Sequence, residues 1–225
     1  FRPHLLCGGF AGGTGAGKTT VLNGLSEDMR AQERVITIED SAELRLQHIE
    51  NLVRMETRDA NAEGQGAIGI GELIRAALRM HPSRILIGEV RGREALDLLQ
   101  AMNTGHDGSF STGHGNSPRD MLSRLETMVL MAADLPLPAI RSQIVSAIDV
   151  MVHVARLRDS SRKVTAIEEV DRYENGEIVL NPLYRFQESG LADGKTALAG
   201  KVEGKLMRTG ELRHKEKLRL AGLEL

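Results

Sequence analysis

The run Gly12-Gly13-Thr14-Gly15-Ala16-Gly17-Lys18-Thr19-Thr20 satisfies G-x-x-x-x-G-K-[ST] in full and leads straight into an apolar-periodic stretch. Residues of these types at this spacing hold phosphate. The glycines let the backbone curl until successive N–H groups converge on a concave cradle that no side chain obstructs. Lys18 offers a mobile point charge to β- and γ-phosphate oxygens, and the Thr19 hydroxyl can ligate a Mg²⁺ bridging the same oxygens. Every residue of the run is therefore a candidate position for binding a nucleoside triphosphate such as ATP with its Mg²⁺. A chance glycine-rich turn would not need the lysine, the threonine and the helix behind them.

Hydrolysis of a phosphoanhydride needs a carboxylate to position water, and two acidic groups follow apolar segments. Glu89 ends Ile85-Leu86-Ile87-Gly88, where it can hold a Mg²⁺-bound or attacking water, with Gly88 in the place where many phosphate-loop enzymes carry aspartate. Glu39, Asp40 and Glu43 follow Arg34-Val35-Ile36-Thr37-Ile38, and like charges so close need a metal, arginines or water to meet them. One of the three can orient water, while Asp40 or Ser41 can equally cap a helix. His114, in Ser111-Thr112-Gly113-His114-Gly115-Asn116-Ser117-Pro118, can donate to a γ-phosphate; a solvated surface histidine is the plain alternative.

The elements that must position these groups can be read from periodicity. Val21, Leu22 and Leu25 mark one face of a helix whose positive end aims at the anion. Buried strands are expected at 34–38 and 85–90, a more alternating one at 52–57, and a short one at 109–112 leading to His114. Helical spacing appears at Leu73, Ile74, Ala77 and Leu78 before Pro82. It recurs at Ala95, Leu98, Leu99 and Met102 before a capping Gly105, and at Met121, Leu122, Leu125, Met128 and Val129. Alternation of strands and helices predicts an α/β fold with a mostly parallel sheet, whose ligands collect at the carboxyl ends of strands. Leu5-Leu6-Cys7 is expected to be the strand before the loop, though a poor one, with Gly8-Gly9-Phe10-Ala11 intervening. After Asp149 the pattern becomes antiparallel. Strands are expected at 150–154, at 164–167 and after the hairpin signal Asn175-Gly176, with one terminal helix near 213–221. The organisation expected is an ATPase core over residues 1–158 and a hairpin and helical extension over 159–225.

A chain of 225 residues with 41% hydrophobic and 27% charged residues can bury a real core. Its formal net charge of −2 gives no global attraction to nucleic acid or anionic membrane, so no direct nucleic-acid partner is expected. Arg156, Arg158, Arg162 and Lys163 around Asp159 form a local basic cluster, either a solvated turn or a partner contact. Cys7 is the only cysteine, which excludes an intrachain disulfide and suggests the cytoplasm. No apolar run approaches the ~18 residues that span a bilayer.

Taken in order, the loop at 12–20, the block Ile36-Thr37-Ile38-Glu39-Asp40 with Glu43-Leu44, the block Ile87-Gly88-Glu89-Val90-Arg91 and the block from Ser111 to Pro118 resemble the type II/IV secretion ATPase superfamily. They look like its Walker A, Asp box, Walker B and His box. The stretches 54–58, 95–108 and 123–129 are similar to its CpaF branch, the Flp/tad pilus assembly ATPases. The resemblance implies a RecA-like P-loop core working as a homo-hexamer, with ATP between subunits driving pilus assembly or secretion. It also implies inner-membrane platform proteins as partners, pilin as an indirect one, and a cytoplasmic, peripheral location. By matched position Lys18 and Thr19 carry nucleotide and Mg²⁺, Glu39 and Glu89 are the hydrolytic carboxylates, His114 senses phosphate, and Arg91 is a further catalytic candidate. Arg54 and Arg58 match positions too, and for all three arginines ordinary ion pairing is an equal alternative to phosphoryl transfer. An N-terminal domain that the family places ahead of the loop is absent from these residues. Gly113 and Gly115 stand where the family usually carries larger residues, which is expected to loosen the backbone around His114. The alternative reading is a nucleotide-binding interaction module with little or no turnover.

Overall fold

Segments such as Val35-Ile36-Thr37-Ile38 and Ile85-Leu86-Ile87 present apolar or small side chains to both faces, so they are stable only as strands covered on both sides. The computed structural model describes residues 6–189, 201–220 and 222 and places them that way. The strands are β1 (Gly8–Ala11), β2 (Arg34–Glu39), β3 (Asn51–Glu56), β4 (Arg84–Ile87), β5 (Phe110–Gly113), β6 (Val150–Arg156), β7 (Arg162–Glu174), β8 (Glu177–Glu188) and β9 (Gly204–Arg208). Among the described residues they form one sheet in the order β3-β2-β4-β5-β1-β6-β7-β8-β9. The first six in that order are parallel and the remainder antiparallel.

Helices α1 (Lys18–Ser26), α2 (Ile70–Leu78), α3 (Ala95–Asn103), α4 (Pro118–Ala132), α5 (Leu137–Ala147) and α6 (Glu216–Leu220) complete the chain. Strand alternation divides most of the core into two clusters, with a small third one at Leu6, Val150 and Leu218. Ile36, Ile38, Ile85, Ile87 and Met151 pack on the side of α2, α3, α4 and α5. Val35, Leu86, Phe10, Phe110 and Val154 pack with Leu22 of α1 and with Leu44, Leu46 and Ile49. Each such side chain contributes ~1.5–3 kcal/mol relative to exposure.

The strand entering the loop differs from expectation. It is Gly8–Ala11, the segment expected to separate strand from loop. Glycine forms strands poorly because it has nothing to pack, yet this strand lies mid-sheet between β5 and β6. Its neighbours fill the space. A Cβ on Gly8 would lie 2.6 Å from the Phe110 ring, and one on Gly9 would lie 2.8 Å from Met151 Sδ. Helix α5 and strand β9 are further elements that periodicity had not indicated. The expected terminal helix is the shorter α6, and Ala221 lies outside the described residues.

Between β7 and β8, Asn175 (φ 52°) and Gly176 (φ 84°) form the two-residue turn that their sequence predicts. The segment after residue 200 is fastened to the sheet by charge. Lys217 Nζ lies 2.8 Å from Asp149 Oδ2 and 3.2 Å from Asp107 Oδ1. Glu169 accepts the backbone N–H groups of Arg213 and His214, and Asp171 meets both of their side chains. Beside this fastening Cys7 is fully buried, its N–H donating to Asp149 Oδ2 at 2.7 Å. Burial pushes its thiol up to about 11.

Candidate functional site

The loop at residues 12–20 is shaped by what its glycines avoid. A Cβ on Gly12 would stand 2.4 Å from the Val154 carbonyl oxygen, so only glycine lets the chain leave β1 this close to β6. Gly15 (φ 70°) and Gly17 (φ 97°) take the left-handed conformation, and Gly17 is the N-cap immediately before α1. Lys18, the first residue of the helix, folds back over the loop. Its Nζ donates to the carbonyls of Gly12 (3.0 Å) and Gly13 (3.2 Å). Burial lowers its pKa, while the nearby Glu89 and Glu43 carboxylates oppose that shift.

Strand β2 delivers Glu39, which is buried, with Oε1 accepting the N–H groups of Glu43 and Leu44 at 3.0 Å each. Burial raises its pKa despite these two bonds. Glu39 thus caps the turn that carries Glu43 to the loop, where the Thr19 hydroxyl donates to Glu43 Oε2 at 3.1 Å. No helix follows, so Asp40 and Ser41 cap nothing. Asp40 instead accepts from Thr57 Oγ1 (3.2 Å) and stands 3.6 Å from Arg91.

Glu89 projects just beyond β4. Its Oε2 accepts from Arg91 Nη2 at 2.7 Å, and its Oε1 lies 2.7 Å from His114 Nε2. That second contact is close but poorly directed, leaving buried Oε1 without a well-formed hydrogen bond. Gly88 leaves room for Glu39, whose Cγ a Cβ would meet at 3.2 Å. The ends of β4 and β5 are stitched together where Thr112 Oγ1 donates to the Gly88 carbonyl and Val90 N–H donates to Thr112 O.

His114 follows β5, and its loop is fixed by the start of α4. Ser117 Oγ accepts from Asp120 N–H (3.0 Å) while Asp120 Oδ2 accepts from Asn116 N–H (2.7 Å), a reciprocal cap with Pro118 as the first helical residue. Helix α4 presses closely against both Gly113 and Gly115. A Cβ would lie 2.2 Å from Met121 Cε at Gly113, and 3.1 Å from Met121 N at Gly115. Neither glycine has positive φ.

A cavity of about 610 Å³ gathers Lys18, Thr19, Glu39, Glu89, Arg91 and His114, with Thr14, Gly15, Ala16, Gly17 and Thr20 of the loop. Gly12 and Gly13 contribute through the carbonyls beneath Lys18. Arg54, on β3, and Arg58 do not line it; Arg58 Nε donates to Gly66 O at 2.8 Å. Arg162 of β7 does line it, with Nε donating to Gly15 O at 2.9 Å. In the sequence this residue was visible only as part of a basic turn, since the contact closes 147 positions. The Thr19 hydroxyl and the Glu43 and Glu89 carboxylates form a hard-oxygen wall suited to Mg²⁺ shared with phosphates. Among the described residues no group of three or more His, Cys, Asp or Glu side chains could hold a metal unaided.

Residues 6–195 match the family model for "Type II/IV secretion system protein". A "Putative conjugal transfer protein" of Mycobacterium tuberculosis is 41% identical over 187 residues, covering 83% of this chain and 52% of that protein. The type IV secretion system protein PtlH of Bordetella pertussis is 44% identical over 149 residues, 65% of this chain and 44% of PtlH. The crystal structure of the VirB11 ATPase of Brucella suis, in complex with sulphate, has a TM-score of 0.67 at 32% identity over 75% of this chain and 49% of that one. The chain spans about half the length of the curated relatives it matches. Its mostly parallel sheet is the RecA-like ATPase fold of VirB11. In sequence over most of its length and in fold alike, this chain belongs to the type II/IV secretion system protein family.

Proposed function

We propose that this chain is the ATP-hydrolysing part of a homo-hexameric motor that powers Flp or type IV-like pilus assembly, or protein export by a related system. One observation carries the reading: Lys18, Thr19, Glu89 and His114 converge on a single cavity at the carboxyl ends of β1, β4 and β5. The stretches 54–58, 95–108 and 123–129 support the CpaF branch. Membrane attachment is assigned to inner-membrane platform proteins, with pilin engaged through them. Among the described residues no helix is long and apolar enough to cross a membrane.

The residues divide the work. Loop N–H groups cradle the β-phosphate, and Lys18 exchanges two backbone carbonyls for β- and γ-phosphate oxygens. Thr19 and Glu89 would hold Mg²⁺ together with the nucleotide, and the bound ion would neutralise charge on the phosphates. Glu89 also orients the attacking water, and Arg91 holds its far oxygen in place. His114, already at Glu89, donates toward the γ-phosphate and registers its presence. Glu39 fixes the turn and keeps a second negative charge beneath the site.

The test is steady phosphate release by the full-length protein. Lys18→Ala and Glu89→Gln should each lower it by ~10²-fold or more. Tight ATP binding without any release by the unaltered protein would overturn the motor in favour of a nucleotide-binding module.

A further inference from the structure

Two guanidinium groups line the cavity, and they differ in their partners. Arg91 is neutralised by Glu89 and Asp40. Arg162 has no carboxylate partner among the described residues: its Nε donates to Gly15 O, and its two Nη groups make no hydrogen bond or ion pair there. The nearest acid in sequence is already occupied, because Asp159 accepts Ser161 N–H (3.0 Å) and Val202 N–H (2.7 Å). Arg162 also stands directly opposite Arg156 in the β6–β7 register. Like charges in that position repel. The Arg162 stem crosses the loop closely enough that a Cβ on Gly17 would lie 3.1 Å from its Cδ. A fork of donors, fixed at its base and without a counter-ion among the described residues, thus faces the cavity.

We propose that Arg162 is a nucleotide-binding residue that grips the phosphate chain from the hairpin side, opposite Glu89 and His114. The inference rests on the nucleotide-binding reading above. It ties the antiparallel half of the sheet to the occupancy of the loop, because a single side chain on β7 touches both backbone and ligand.

The test is equilibrium binding to the full chain, read by displacement of a fluorescent ADP analogue with ADP and with inorganic pyrophosphate. Arg162→Ala should weaken both competitors on the order of 10- to 100-fold, the worth of a charged hydrogen bond. Arg162→Lys should regain most of that loss, since the charge survives although the planar link to Gly15 does not. Equal losses in Arg162→Lys and Arg162→Ala would reduce Arg162 to a brace for the loop and overturn the proposal. A loss for ADP without one for pyrophosphate would place the contact on the nucleoside and overturn it too. Binding by Arg162→Ala equal to that of the unaltered protein, while Lys18→Ala binds nothing, overturns this inference and leaves the nucleotide reading intact. An unaltered protein that binds neither compound overturns both.

Discussion

Glu39 carries a charge that the fold resists. It is 3% exposed, and burial raises its pKa even though two backbone N–H groups stabilise its anion. For an acid with a raised folded pKa, the contribution to stability is present below the ordinary value of 4.5 and is lost as pH rises through the folded one. Glu39→Gln keeps an acceptor for Glu43 and Leu44 and removes the charge. We expect a melting temperature a few degrees higher at pH 7, converging with the unaltered protein in acid, together with reduced phosphate release. An unchanged or lower melting temperature at pH 7 would show that the charge costs nothing there. Glu39, Glu89 and His114 were legible because each ends or follows a strand-like segment, and in a parallel sheet those ends point one way. Arg162 was not, because only the folded hairpin brings it to the loop.

At the scale of elements, the His114 loop depends on the missing side chains of Gly113 and Gly115, and the two positions differ in what they meet. A methyl group at 113 strikes the flexible end of Met121, whereas one at 115 strikes its Cβ and backbone, which an alanine there would keep. Gly113→Ala should therefore cost ~1–3 kcal/mol by denaturant unfolding and be largely rescued by Met121→Ala. Gly115→Ala should cost at least as much, and the same second change should not rescue it. Equal rescue at both sites would mean that the α4 backbone moves freely against the loop. The same reasoning explains which elements periodicity revealed. Strands β2 and β4 are apolar runs that announce themselves, but β1 draws its packing volume from Phe110 and Met151. Helix α5 does carry a helical stripe, Ile140, Ile144 and Ala147, but Pro136 and Pro138 mask its start although proline is tolerated in a first turn. Strand β9 is almost wholly exposed, so no alternation marks it.

At the scale of the molecule, the loop at 12–20 and helix α6 lie at opposite ends of the parallel strands. The loop follows β1, and Cys7, Asp107 and Asp149 precede β1, β5 and β6. Lys217→Met should leave Asp149 without its cation and cost ~1–3 kcal/mol in denaturant unfolding, with nucleotide binding retained. The Cys7 thiol, with an ordinary value of 9.0 and a folded value of about 11, adds stability that is complete below pH 9 and lost through about 11. The amount is ~3 kcal/mol at most. Lys217, whose pKa is raised mainly by Asp149 against burial, acts in the same direction higher up. Melting temperature should thus fall between pH 9 and 11, and less steeply in Cys7→Ala; parallel curves would remove the thiol from the account. The burial of Cys7 also has a practical side. Protonated and shielded near neutral pH, it will not compete for maleimide, so one cysteine introduced at exposed Thr14 can carry a fluorophore on the cavity rim with the native residue left in place.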